Sequence, residues 1–192
     1  MSVTVEKCLQ AWTNSLRQLN AKADIVFFGD SLTYHGDFAS VFPDKVVCNL
    51  GLRGDTIQGM IDRVDQVKML EPKQVFLMAG INDVANCNVK SFEKQYEELV
   101  LRLKKQLPEA IIVIQGMLPV NDKDFPINCN NEQIENCNKA IAKIADVFSL
   151  KYIDLFTEYF KDGILPIKET TDGLHIKGES YSKWFQKLNK VL

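Results

Sequence analysis

Histidine is scarce in this 192-residue chain: His35 and His175 are the only two. Chemistry that needs an imidazole base therefore has two places to put it. Net charge is also small, with 23 Lys and Arg against 25 Asp and Glu, a formal −2. No basic stripe argues for a nucleic-acid partner, and no acidic tail argues for disorder. Long apolar runs are missing, and none approaches the roughly 20 residues that a membrane-crossing helix needs. Residues 1–20 alternate polar and apolar positions without the apolar core of a signal peptide, so a cytoplasmic location is expected. The cysteines (Cys8, Cys48, Cys87, Cys129 and Cys137) are odd in number and scattered, which does not read as a disulfide framework. Reduced thiols in a cytosol are the simplest account. Cys129 and Cys137 lack metal-site spacing and have no histidine near them. Internal repeats, low-complexity segments and linkers are absent. The 46% hydrophobic and 25% charged composition that remains suits a globular protein with a full core. The length points to a single domain over residues 1–192.

Apolar runs alternate with stretches of helical period. Strands are predicted over residues 24–29, 45–50, 74–79, 110–115 and 151–154, and helices over 7–19, 56–70, 91–106, 131–150 and 178–192. In the helix over 56–70, Ile57, Met60, Val64 and Val67 form one face. In the last helix, Tyr181, Trp184, Leu188 and Val191 should point inward. Strands alternating with helices predict a parallel sheet covered on both faces, with right-handed crossovers.

The chain is organised around Ile25-Val26-Phe27-Phe28-Gly29-Asp30-Ser31-Leu32. A continuous apolar run suits a strand buried on both faces. Gly29 permits a tight turn. Ser31 is then delivered to a helix N-terminus, where free N–H groups favour negative charge. A nucleophilic serine needs a base, a group that orients the base, and donors for an oxyanion. Asp172-Gly173-Leu174-His175 places a carboxylate three residues before an imidazole and can supply orienter and base together. Ser31, Gly51 and Asn82 each follow a predicted strand at its carboxyl end, the rim where open α/β sheets bind ligands.

With these segments in place the chain resembles the SGNH (GDSL) hydrolases. Four short blocks carry the resemblance, in order: Gly29-Asp30-Ser31-Leu32, Asn49-Leu50-Gly51-Leu52-Arg53-Gly54-Asp55-Thr56, Gly80-Ile81-Asn82-Asp83 and Asp172-Gly173-Leu174-His175. Together they cover the chain from Ile25 to the last helix. The resemblance implies a three-layer α/β/α sandwich with a five-stranded parallel sheet in flavodoxin-like order. It implies a serine ester hydrolase that works through an acyl-enzyme and needs no metal or cofactor. Ser31 is then the nucleophile, His175 the general base, and Asp172 the group that holds the imidazole tautomer. The oxyanion would be met by Ser31 N–H, Gly51 N–H and the Asn82 amide, a single such donor being worth roughly 2.7–4 kcal/mol in the transition state. Block spacing and a compact first loop look most like the platelet-activating-factor acetylhydrolase-like branch. A short acyl group, acetyl on a sugar or similar alcohol, is the expected substrate. Lysophospholipase or thioesterase activity in the same family is the alternative, and outside it a non-enzymatic small-molecule binding module on a flavodoxin-like sheet. Activity is expected to rise as His175 loses its proton, near an ordinary value of about 6.5.

Each residue also has a plainer reading. Ser31 alone would be a helix cap, Asp172 a turn residue before glycine, His175 a surface or capping histidine, Gly51 a strand-ending glycine, and Asn82 a loop asparagine. Asp30 and Asp83 are read as structural partners of backbone N–H groups. His35, one helical turn after Ser31, is read as solvated. Arg53 and Asp55 either line the mouth or are a solvated loop. Leu118, Val120, Ile164, Leu165 and Ile167 are candidates for an acyl groove, with core packing the commoner role for each.

Overall fold

The computed structural model describes residues 13–15 and 20–190. Residues 13–15 are helical, and the rest of the helix expected over 7–19 lies outside the described residues. The strands are β1 (Ile25–Gly29), β2 (Val47–Gly51), β3 (Gln74–Met78), β4 (Ile111–Gln115) and β5 (Lys151–Ile153). They form one five-stranded sheet in the order β2-β1-β3-β4-β5, every pair parallel. This is the expected flavodoxin-like α/β arrangement.

The continuous apolar runs form central strands because both faces are covered. Every residue of β1 is buried. Alternate side chains enter opposite layers. Val26 and Phe28 join Leu50, Leu77 and Ile114 on one side. Ile25 and Phe27 join Phe76, Val113 and Trp184 on the other. Phe27 stacks between Phe38 at 3.8 Å and Phe76 at 4.8 Å. Burying one such side chain stabilises the fold by about 1.5–3 kcal/mol.

The helices are α1 (Ser31–Tyr34), α2 (Ile57–Asp62), α3 (Val64–Met69), α4 (Val89–Gln106), α5 (Asn131–Val147), α6 (Phe156–Tyr159) and α7 (Tyr181–Leu188). Local chemistry sets their starts. Thr56 caps α2 through Gly59 N–H, and Asn88 caps α4 through Ser91 N–H. Asn130 and Gln133 form a reciprocal capping box at the start of α5. The single helix expected over 56–70 is broken in two at Arg63 (φ −117°, ψ 15°), whose side chain turns into the interior. The last helix is shorter than expected: Gly178–Ser180 is a 3₁₀ turn and α7 follows it. Its Tyr181, Trp184 and Leu188 are buried as expected, while Val191 lies outside the described residues. Among the described residues no helix is long and apolar enough to cross a membrane.

The sheet order positions the site. The chain leaves β1 for β2, then crosses back past β1 to reach β3. The connections after β1 and β3 therefore diverge and open a crevice at the carboxyl ends of these neighbours. Ser31 follows β1 and Asn82 follows β3 at that crevice.

Candidate active site

β1 stops at Gly29, where an added Cβ would lie 2.1 Å from Thr33 Oγ1 and 2.8 Å from Met78 O. Glycine is what lets α1 fold back against the end of its own strand. Asp30 then caps α1, its Oδ1 accepting the Leu32 N–H at 2.9 Å. Tyr181 Oη donates to Leu32 O at 2.6 Å and ties α7 to α1. Ser31, at the first position of α1, is 5% exposed.

The Ser31 hydroxyl meets a partner from the far end of the chain. His175 Nε2 lies 2.9 Å from Ser31 Oγ, and His175 Nδ1 lies 2.7 Å from Asp172 Oδ2. The other oxygen of Asp172 accepts the N–H groups of Leu174 (3.0 Å) and His175 (2.8 Å). The loop is pinned from outside as well, because Asn121 N–H donates to Gly173 O at 2.7 Å and Thr170 Oγ1 donates to His175 O at 2.8 Å. Gly173 takes φ +88°, and a Cβ there would meet Phe125 at 2.7 Å. Desolvation raises the Asp172 carboxyl. The His175 side chain and the N–H groups of His175 and Leu174 outweigh it and hold the carboxyl below its ordinary value.

The expected oxyanion donors are placed unequally. Ser31 N–H has no acceptor among the described residues. Asn82 Nδ2 donates to Asp55 O at 2.8 Å, which fixes the amide at the crevice and leaves its second N–H. Gly51 is different, since its N–H already donates to Asn49 Oδ1 at 2.8 Å. Asn49 is itself held, donating to Thr33 O (2.8 Å) and Gly36 O (3.0 Å). A Cβ on Gly51 would lie 2.1 Å from Tyr34 N. Gly51 is thus the point where β2 packs against the backbone of α1, and its N–H is engaged, contrary to expectation. Three residues on, Gly54 is exposed at φ +73°, and its N–H has no acceptor among the described residues. It adjoins Asp55, the residue that holds Asn82.

The GDSL-like Lipase/Acylhydrolase family matches residues 27–183. The chain belongs to this family. It is an ester-hydrolysing enzyme with the α/β fold of GDSL-type hydrolases. It is similar to the human platelet-activating factor acetylhydrolase IB subunit alpha2, 24% identical over 176 residues that make up 88% of this chain and 76% of the relative. Rat subunit alpha1 is 23% identical over 88% of this chain and 75% of its own length. Among solved structures, a GDSL-like lipase from Bacteroides thetaiotaomicron superposes with a TM-score of 0.80 at 18% identity, covering 95% of this chain and 96% of that one. An acetyl xylan esterase superposes with a TM-score of 0.73 at 21% identity, covering 88% and 98%.

Beneath the crevice this GDSL-family enzyme buries more charge than its sequence suggests. Asp55, read as a mouth or loop residue, is 4% exposed and paired with Arg63, also 4% exposed. Burial pushes the Asp55 carboxyl up and the Arg63 guanidinium down, and the charge of each opposes the other's shift. Asp83 accepts the Ile57 N–H at 3.1 Å, and burial raises it to about 6. Asp30 is fully buried and raised to about 7, by burial first and by Asp55 in addition, against the Leu32 N–H. Its Oδ2 has no partner among the described residues.

A folded-state carboxyl raised from 3.8 to about 7 contributes stability that is complete below the lower value. That stability is lost as pH climbs through the higher value. The span corresponds to about 4 kcal/mol for a fully buried group. Asp30→Asn keeps a capping oxygen for Leu32 N–H and removes the charge. The melting temperature of the variant relative to wild type is therefore expected to rise by several degrees from pH 5 to pH 8. A pH-independent difference would assign the slope to other groups.

His35 is exposed, yet its ring lies 5.8 Å from that of His175, nearly perpendicular. It faces the crevice rim rather than solvent alone. Desolvation, then His175 and Arg53, lower its pKa. Arg63 is absent from the sequence-based candidates, although a signal existed: it falls three residues after Met60 and four before Val67, on the apolar stripe. A charge on a buried stripe needs a partner inside.

Proposed function

We propose that this GDSL-family acylhydrolase cleaves esters of short acyl groups, acetyl on a carbohydrate or similar alcohol above all. The observation that carries the proposal is the unbroken line from Ser31 Oγ through the His175 ring to Asp172 Oδ2, at 2.9 and 2.7 Å. Ser31 Oγ attacks the carbonyl carbon while His175 Nε2 takes its proton. Asp172 holds the Nδ1–H tautomer and stabilises the imidazolium. The oxyanion is met by Ser31 N–H and the free N–H of Asn82. Gly54 N–H replaces Gly51 N–H as the second backbone donor, because the Gly51 group is engaged with Asn49. The tetrahedral intermediate collapses, His175 returns the proton to the leaving alcohol, and an acyl-Ser31 remains. Water activated by His175 then releases the acid and regenerates the serine.

A cavity beside Asn82 and Leu174 supports a small acyl group. It measures about 260 Å³ and is walled by Ile81, Ala85, Pro126 and Ile127. That is below the roughly 300–1,000 Å³ of drug-sized pockets. None of the five candidates for an acyl groove lines this cavity: Leu118, Val120 and Leu165 take the commoner core role, Ile164 is half-buried, and Ile167 is 59% exposed. The names of two similar proteins, an acetylhydrolase and an acetyl xylan esterase, agree with a small acyl group. The test is hydrolysis of p-nitrophenyl esters from acetate to decanoate. kcat/KM is expected to be highest at the short end and to fall by an order of magnitude or more once the chain outgrows the cavity. A profile rising toward decanoate would point instead to a lysophospholipase or thioesterase.

A further inference from the structure

We propose that Arg63 is a positioning residue for the reaction, holding the strand end that carries the nucleophile against the loop that orients Asn82. This rests on the serine-hydrolase reading above. Arg63 Nη2 donates to Gly29 O at 3.0 Å, two residues before Ser31. Arg63 Nε donates to Asp55 Oδ2 at 2.7 Å. The backbone carbonyl of that same Asp55 accepts from Asn82 Nδ2 at 2.8 Å. One guanidinium thus links the nucleophile turn, through one hydrogen bond, to the oxyanion side, through two. Its plane lies over the Phe28 ring, 4.4 Å from the centroid, so its orientation is set by packing as well.

The chemistry requires a guanidinium. Its rigid fork offers two donors in different fixed directions, whereas an ammonium is a point charge on a flexible stem. Asp55 is equally constrained. Its Oδ1 accepts Thr56 N–H at 3.1 Å while Oδ2 accepts Arg63. A carboxylate can accept at both oxygens, and an amide at one only. The break between α2 and α3 at Arg63 is what allows a residue in the middle of a helical segment to turn inward. A merely structural ion pair would serve anywhere in the core. This one joins the two backbone segments whose separation sets the distance between the serine oxygen and the amide that would receive the oxyanion.

The experiment is steady-state hydrolysis of p-nitrophenyl acetate by Arg63→Lys, with wild type and Ser31→Ala in parallel and folded protein quantified by far-ultraviolet circular dichroism. The expected result is a fall in kcat per folded molecule of about 10²-fold, the scale of an ångström misplacement. KM should stay within about threefold, since ground-state binding is unaffected. Inactivation by diethyl p-nitrophenyl phosphate should slow in parallel, because its attack geometry relies on the same donors. A folded Arg63→Lys with wild-type kcat overturns the proposal and leaves the serine reading intact. Wild-type hydrolysis that survives Ser31→Ala overturns the serine reading, and this proposal with it. Where Arg63→Lys does not fold, Asp55→Asn carries the test, with the same loss in kcat at constant KM expected and an unchanged kcat per folded molecule overturning it.

Discussion

Ser31→Ala is expected to abolish ester hydrolysis, lowering kcat by about 10⁶-fold, the scale seen when a triad nucleophile is removed. The side chain is small, and its replacement leaves its surroundings unstrained. Ser31 is at the first position of α1, and the cap of that helix is the Asp30 carboxylate rather than the serine hydroxyl. The Tyr181 contact to Leu32 O is also untouched. Stability should therefore change by less than about 1 kcal/mol, the effect of losing one partly exposed hydrogen bond. That separation is the content of the prediction. A serine serving only as a helix cap would lose stability and leave catalysis alone. Side-by-side turnover of p-nitrophenyl acetate and thermal melts decide between the two. Equal turnover by wild type and variant would remove Ser31 from the chemistry.

Asp172→Asn should be the next largest effect, about 10⁴-fold in kcat. The amide keeps the size of the carboxylate and can still accept the Leu174 and His175 N–H groups through one oxygen. The atom it presents to His175 Nδ1 becomes a donor, which favours the wrong imidazole tautomer and removes the charge that stabilises the imidazolium. The Asp172 side chain is 52% exposed against 25% for His175, so mere charge proximity would be screened by solvent. The prediction rests on the directed 2.7 Å contact instead. A loss within tenfold, or one reversed by raised ionic strength, would show that Asp172 acts only as a diffuse surface charge.

Much of the architecture was legible before any coordinates. β1 and β3 are unbroken apolar runs ending in glycine or alanine-glycine, and a run covered on both faces has few other places to go. Where the sequence reading failed, the cause was a contact between distant segments. Arg63 reads as one more charge on a helix until β1 and Asp55 are packed against it. Asp55 reads as a loop carboxylate for the same reason. Leu118, Val120 and Leu165 take the core role that is the commoner one for such residues, while the cavity lies beside the loop at Pro126 and Ile127. His35 looked solvated because nothing near it in sequence places His175 at its edge.

The sequence by itself determined the strands and their parallel pairing, most of the helices, and the set of polar residues at the carboxyl ends of β1 and β3. These follow from periodicity and turn chemistry, which act over a few residues, while the strand order was implied by the resemblance of the four short blocks to the family. Only the tertiary structure decided which polar groups are free. It brings His175 to Ser31 across 144 residues, directs the Gly51 N–H to Asn49, and seals Arg63 and Asp55 under the crevice. Hydrogen-bond direction and burial depend on what packs alongside, and no local pattern encodes the neighbour.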